Sequence, residues 1–248
     1  MCSNFRKYFP NANQDLLVVG IHQPNYIPWL GYFYKIFMSD IFVFHDDVQF
    51  SKKGMHNYSY IQTANGLFRL KIPVRESHGD LINEVITKDE FNWKKDHLKI
   101  IKENYCNAPH FEEVFIDYKD VINRQYDNLS QMNITIISFI CQKLGISLNS
   151  RIASDFRLQT RKEEKVIDLV AALNGSVYFS GTGASSYQDE NNFLARGIRL
   201  VYSDFVPFKY PQRFEPFNSN VSIIDYLMNC GYNWNLVMQN QNKRLIWK

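Results

Sequence analysis

The stretch Leu16-Leu-Val-Val-Gly-Ile-His22-Gln23-Pro24-Asn25-Tyr26-Ile27-Pro28-Trp29-Leu30-Gly31-Tyr32, with its continuation to Gln49, decides the fold. Leu16 to Ile21 is a short apolar, β-branched run of the length of a buried strand. It ends in His-Gln-Pro-Asn, where Pro24 and Pro28 exclude both ladder pairing and helix-interior bonding. From Trp29 an apolar pattern of helical period follows (Leu30, Phe33, Tyr34, Phe37, Met38) and closes at Ser39-Asp40. A second apolar run, Ile41 to His45, leads into Asp46-Asp47-Val48-Gln49. Strand, helix and strand in this order predict a βαβ unit. Its parallel strands place His22 to Asn25 and His45 to Gln49 at neighbouring carboxyl ends, where open α/β sheets hold ligands.

The chain has 248 residues, enough for one large domain. Hydrophobic residues at 45% and charged ones at 21% predict an ordinary soluble globular protein. A net charge of +3 without a basic run argues against nucleic-acid binding. Cys2, Cys106, Cys141 and Cys230 are scattered and form no Cys-x-x-Cys pair, so neither a zinc site nor a disulfide framework is expected. No metal is predicted. The amino terminus lacks a signal-peptide pattern and no run reaches membrane-spanning length, so the expected location is the cytoplasm.

Further along, Tyr58 to Thr63 and Leu67 to Val74 flank Asn65-Gly66 and read as a hairpin. A short strand is expected at Asn83 to Ile86. Trp93 to Tyr105, Phe111 to Val121 and Asn128 to Leu144 carry helical periodicity, the last stopped by Gly145. Thr160 to Glu163 has capping-box spacing and predicts a helix to Leu173. Val177 to Ser180 reads as a strand, followed by a Gly/Ser-rich loop (Gly181 to Ser186) and a helix through Ala195. Ile198 to Tyr202 is the next strand, Pro207 to Phe217 an irregular aromatic segment, and Ser222 to Cys230 a helix capped by Ser222. The predicted whole is an α/β protein. Residues 16–235 form one domain, a Rossmann-like parallel sheet with an inserted β-hairpin and a helical middle section at about 91–147. A flexible tail at 1–15 and a polar tail at 236–248 flank it.

His22 and Asp47, with His97 on the buried stripe of its helix, are the acid/base candidates. Alternating side chains prevent Asp46 and Asp47 from both facing one cleft. Gln23, Asn25, Gln49 and Asn57 offer neutral donors and acceptors suited to sugar hydroxyls or a nucleobase edge. Tyr26 and Trp29 are candidates for ring stacking. Lys71 and Arg161 are candidate anion contacts, and Ser180, Gly181 and Thr182 offer backbone N–H groups to a phosphate. No Gly-x-Ser-x-Gly elbow and no His-x-x-x-His pair is present, which disfavours acyl-enzyme and metal-hydrolase chemistry.

The run from His22 to Phe33 followed by Asp46-Asp47-Val-Gln-Phe50 resembles the signature of the WbqC-like protein family. Lys71-Ile-Pro-Val74, Trp93 with His97, Tyr105 to Phe111 with its Ala108-Pro109, Ser180-Gly181, Tyr210-Pro-Gln212 and Ser222-Ile-Ile-Asp225 extend the resemblance from Val18 to Gly231. The chain departs from it at Asn57-Tyr58, where an Asn-Arg pair is expected; if that arginine binds substrate phosphate in other members, the resemblance implies that Lys52, Lys53 or Lys71 substitutes for it here. The resemblance implies a transferase for bacterial O-antigen or capsule polysaccharide, with a sugar or nucleotide sugar as substrate. An acyl or aminoacyl donor is the implied cofactor, and the transfer is to a sugar amine. A homodimer is left open. A weaker likeness to HIGH-type nucleotidylyltransferases sets Trp29-Leu30-Gly31-Tyr32 against their His-x-Gly-His, with both histidines missing. Nucleotidyl transfer is therefore one alternative, and non-catalytic binding of a sugar nucleotide is another.

Overall fold

The computed structural model describes residues 16–245; the expected tail at 1–15 lies outside the described residues. The opening βαβ unit forms as read, with β1 (Val18–His22), α1 (Leu30–Met38) and β2 (Ile41–Phe44). His22 sits opposite Phe44 in the parallel register. Gly20 lies in β1 because a Cβ there would meet Ser39 Oγ at 2.2 Å, so the end of α1 closes directly onto the strand.

The hairpin β3 (Tyr58–Thr63) and β4 (Gly66–Lys71) turns at a glycine with φ +93°. The second strand stops at Lys71 rather than running on to Val74, since Pro73 has no N–H for the ladder. Pairing resumes between β5 (Val74–Arg75) and β6 (Ile86–Thr87). The strand expected at Asn83 to Ile86 is instead a 3₁₀ turn, Ile82–Glu84, ahead of that short β6.

The middle section holds α2 (Trp93–Tyr105), α3 (Phe111–Ile122) and α4 (Leu129–Leu144), the last capped by the Asn128 side chain and stopped by Gly145 at φ +70°. Sequence reading missed β7 (Ser150–Ile152), which is too short to show a period. Helix α5 (Lys162–Ala172) begins without the expected capping box: Arg161 is the N-cap, and Thr160 Oγ1 donates to Asp168 at 2.8 Å. Beyond β8 (Val177–Ser180), the predicted helix shortens to a 3₁₀ turn and α6 (Glu190–Leu194). The chain then adds β9 (Arg199–Tyr202) and α7 (Ile223–Cys230), whose Ser222 accepts from the Ile224 N–H as a cap. Finally, α8 (Trp234–Leu245) replaces most of the expected polar tail.

The main sheet is parallel, in the order β7-β2-β1-β8-β9. The chain leaves β1 in one direction, returns, and leaves in the other, which makes the gap between β1 and β8 the topological switch point. Val19, Ile21, Val43 and Tyr178 face α5 and α6, while Val18, Phe42, Phe44 and Phe179 face the other side, with α1, α4 and α7. This is a Rossmann-like α/β fold covered on both faces. No helix among the described residues is long and apolar enough to cross a membrane.

The loop from β1 to α1 is buried, so its carbonyls need donors. Asn133 of α4, fully buried, donates to Pro24 O at 2.9 Å and His56 O at 2.7 Å. Ser59 and Ser222 both donate to Ile27 O, at 3.1 and 2.9 Å. They hold Ile27 at φ +34°, a conformation that a β-branched residue rarely adopts. Replacing Asn133 with Ala strands two buried carbonyls. We expect Asn133→Ala to lower unfolding free energy by about 2–4 kcal/mol, read from urea midpoints. A loss below about 0.5 kcal/mol would show that other donors serve those carbonyls.

Candidate functional site

A cavity of about 690 Å³ opens at the switch point. His22 and Gln23 from the end of β1, His45 and Val48 after β2, and Ser180, Gly181, Gly183 and Ala184 from the end of β8 onward line it, with Lys162 and Glu163 of α5 at the rim. Its position follows from topology: three strand ends diverge there, and the loops between them do not fill the gap.

His22 presents an edge to Tyr32 (ring centroids 4.7 Å) and bonds the Gln23 carbonyl through Nδ1 at 3.0 Å. A carbonyl only accepts, so Nδ1 carries the proton and Nε2 is left as the acceptor. Burial, the nearby Lys35 and two further histidines hold its pKa down at about 3, against only partial relief from the Gln23 carbonyl. His22 is therefore neutral at neutral pH.

Lys35 is the feature that sequence reading missed. It is 4% exposed, donates to Ile21 O at 2.6 Å and lies 5.6 Å from the Tyr178 ring centroid. Among the described ion pairs none compensates it, and burial brings its pKa from 10.5 to about 7. The available signal was a single lysine inside the apolar helix Leu-Gly-Tyr-Phe-Tyr-Lys-Ile-Phe-Met. Lys165 shows the contrasting case: it is buried too, but pairs with Asp47 Oδ2 at 2.6 Å. Asp47 Oδ1 lies 3.7 Å from His45 Nε2, beyond hydrogen-bond reach. Burial foremost keeps His45 down at about 4 despite Asp47. Ser180 donates to Gln188 Oε1 at 3.0 Å on the β8 side. Glu163 accepts from Asp189 N at 2.8 Å and Asn192 Nδ2 at 2.7 Å, tying the rim of α5 to α6.

Of the residues singled out from sequence, His22, Gln23, Ser180 and Gly181 meet in this cavity, with Asp47 behind His45. Thr182 is exposed beside it, and Arg161 is an exposed N-cap outside the lining. Asp46 stitches instead: its carboxylate accepts from Ser154 N, Ser154 Oγ and Asn83 Nδ2 at 3.0, 2.8 and 3.1 Å. His97 lies in a packed network, Nδ1 with Tyr26 OH at 2.9 Å and Nε2 with Lys71 O at 3.2 Å, so both nitrogens are occupied. Tyr26, fully buried and also bonded to Tyr118, has no open face for stacking. Trp29 packs on Phe205, at 5.4 Å between ring centroids. Asn25 is buried outside the lining, and Gln49 is exposed in a bridge to Leu81. Lys52, Asn57 and Lys71 line a separate cavity. Among the described residues no His, Cys, Asp or Glu cluster is arranged to hold a metal ion.

Comparison with known proteins gives a match of residues 23–235 to the model of the WbqC-like protein family. The chain is also 34% identical over 218 residues to an uncharacterized protein of Mycobacterium tuberculosis, Rv1507c, covering 86% of this chain and 94% of the relative. No solved structure matches significantly.

Two pH effects follow from the buried bases. His22, His45, His56 and His97 hold pKa values of about 3, 4, 4 and 4 against an ordinary 6.5, all chiefly through burial. The unfolded chain takes up those protons first, so stability falls as pH drops from 6.5 toward 4. Each histidine removes roughly 3 kcal/mol by pH 4, and four together rival the ~5–15 kcal/mol of a whole domain. Circular dichroism against pH is expected to show cooperative unfolding in that window; a native spectrum retained at pH 4 would overturn it.

Lys35 gives the second effect. Its burial penalty is complete below pH 7 and fades as pH rises toward 10.5. Lys35→Met is expected to stabilise by about 1–3 kcal/mol at pH 6.5, after loss of the bond to Ile21 O, and by less at pH 9. Equal gains at both pH values would show that the amine carries no such penalty.

Proposed function

The chain belongs to the WbqC-like protein family, and on that premise we propose that it is a transferase acting on a nucleotide-activated or amino sugar for surface polysaccharide. The observation that carries this reading is the uncompensated Lys35 beside neutral His22 at the switch-point cavity. An uncompensated buried ammonium favours an anionic ligand, because the anion supplies the charge that the fold withholds. A sugar linked to phosphate or nucleotide brings such a group. Gln23, Ser180 and Gln188 suit its hydroxyls, and Gly181, Gly183 and Ala184 form the wall where a phosphate would lie.

In this reading an acyl or aminoacyl donor delivers its carbonyl to the sugar amine, and no other cofactor is invoked. His22 Nε2 receives the proton that the amine loses as its new C–N bond forms; the bond between the carbonyl carbon and the donor's carrier then breaks, and the carrier's oxygen or sulfur leaves with that proton. Lys35 is one cause of the low basicity of His22. Neutralising Lys35 with a substrate anion therefore makes His22 a better base when the substrate is in place. Nucleotidyl transfer of the HIGH type has less support. At the positions that align with its histidines, Tyr32 donates to the Gln23 carbonyl at 2.9 Å and Trp29 packs on Phe205.

Calorimetric titration with uridine-diphosphate-linked amino sugars tests the reading. Affinity is expected to fall as pH rises through about 7, because the bound anion prefers protonated Lys35. Lys35→Met is expected to weaken binding by about tenfold or more and to flatten that pH dependence. With an acyl donor added, His22→Ala is expected to lower turnover by about 10²–10⁴-fold with little change in binding. Affinity unaffected by Lys35→Met would place the anion elsewhere, and binding without donor-dependent turnover would favour a sugar-nucleotide carrier.

A further inference from the structure

A second cavity, of about 380 Å³, lies beyond the segment that follows β2. Val48 belongs to the wall of the first cavity, whereas Phe50 and Lys52 belong to the second, and no lining residue is shared. The floor is apolar, made by Phe50, Pro73 and Val74, and Phe91 at the mouth is 60% exposed. Around it stand three lysines, Lys52, Lys71 and Lys88, with Glu76 as the acidic member of the lining. Glu76 is taken by Lys52 at 2.7 Å. Lys71 and Lys88 appear in none of the described ion pairs; Lys88 Nζ lies 5.8 Å from the Phe91 ring centroid. Two cations thus flank an apolar floor with no carboxylate of their own.

Asn57 supplies an independent observation. It stands in the cavity wall, is 3% exposed and donates through Nδ2 to Ile72 O at 2.9 Å. Its Oδ1 is buried and has no hydrogen-bond partner among the described residues. Buried acceptors are nearly always satisfied, so this one asks for a donor.

We propose that this cavity is a second ligand site, for a small organic anion with an apolar body and a hydroxyl or amine next to the charge. The charge lies between Lys71 and Lys88, the body rests on Phe50 and Val74 under Phe91, and the hydroxyl or amine donates to Asn57 Oδ1. Hydroxy acids and amino acids share this chemistry, and a singly protonated phosphate monoester supplies the donor as its own P–OH. The site stands on its own geometry and does not rest on the transfer reading above.

The test uses the full chain and three probes in ligand-observed NMR titrations: 2-hydroxy-3-phenylpropanoate, 3-phenylpropanoate and phenyl phosphate. The hydroxy acid is expected to bind about fivefold more tightly than the acid lacking the hydroxyl. A phenyl phosphate affinity above that of both carboxylates would identify phosphate as the preferred charged group, still within the proposal. The pair K71Q/K88Q, neither of them a core residue, is expected to weaken every probe by about tenfold or more. Lys35→Met is expected to leave all three unchanged, which separates this site from the first cavity. Absence of saturable binding by any probe would overturn the proposal. So would affinity that survives K71Q/K88Q, or that Lys35→Met abolishes.

Discussion

A buried carbonyl without a donor is costly, and in the largely buried loop from Gln23 to Pro28 four of the six carbonyls are each given one. Gln23 O is met by His22 Nδ1 and Tyr32 OH, Pro24 O by Asn133, Ile27 O by Ser59 and Ser222, and Pro28 O by the Ile223 N–H. The donors come from α1, α4, the hairpin and the start of α7. Elements distant in sequence are therefore held in place by the polar needs of one loop, and the hydrophobic core fills in around that arrangement. The two prolines simplify the problem, since neither brings an N–H that needs an acceptor. The same bonds orient the end of β1, from which His22 enters the cavity.

The fold around the first cavity shows two ways of burying a cation, one in its lining and one outside it. Lys165 is matched by Asp47, so its charge is settled within the fold. Lys35 is given a backbone carbonyl and an aromatic ring, which are weaker partners than a carboxylate. The contrast assigns the two lysines different work: one fixes the segment after β2 against α5, and the other leaves the cavity short of negative charge. Under the function proposed above, binding and stability are here in opposition, because the site stays unsatisfied until its ligand arrives.

Much of the fold was legible because its elements carry strong local signals. The apolar run before His22, the helical period after Trp29 and the Asn128 and Gly145 punctuation around α4 all state their structure locally. What escaped was decided by partners far away. Three residues of β7 become a strand because β2 offers an edge, and polar α8 forms with Trp234, Val237 and Met238 buried against the core. The candidate site divides the same way. His22 could be placed from the end of its strand. The locked roles of His97 and Asp46 depend on Tyr26, Lys71, Ser154 and Asn83, which no spacing rule connects to them. Lys35 reads in sequence as an ordinary helical lysine, and only the packing of Tyr178 and Ile21 around it makes it unusual.

The central position of β1 has a consequence for how the protein is made. Its partner β2 leaves the ribosome almost at once, but β8 lies on the other flank, and the bond between Leu17 and Ser176 closes a gap of 159 residues. At the ~5–20 residues per second of synthesis, β1 waits on the order of 8–30 seconds as an apolar edge strand on the nascent chain. During that interval its unpaired flank is open to pairing with the wrong neighbour.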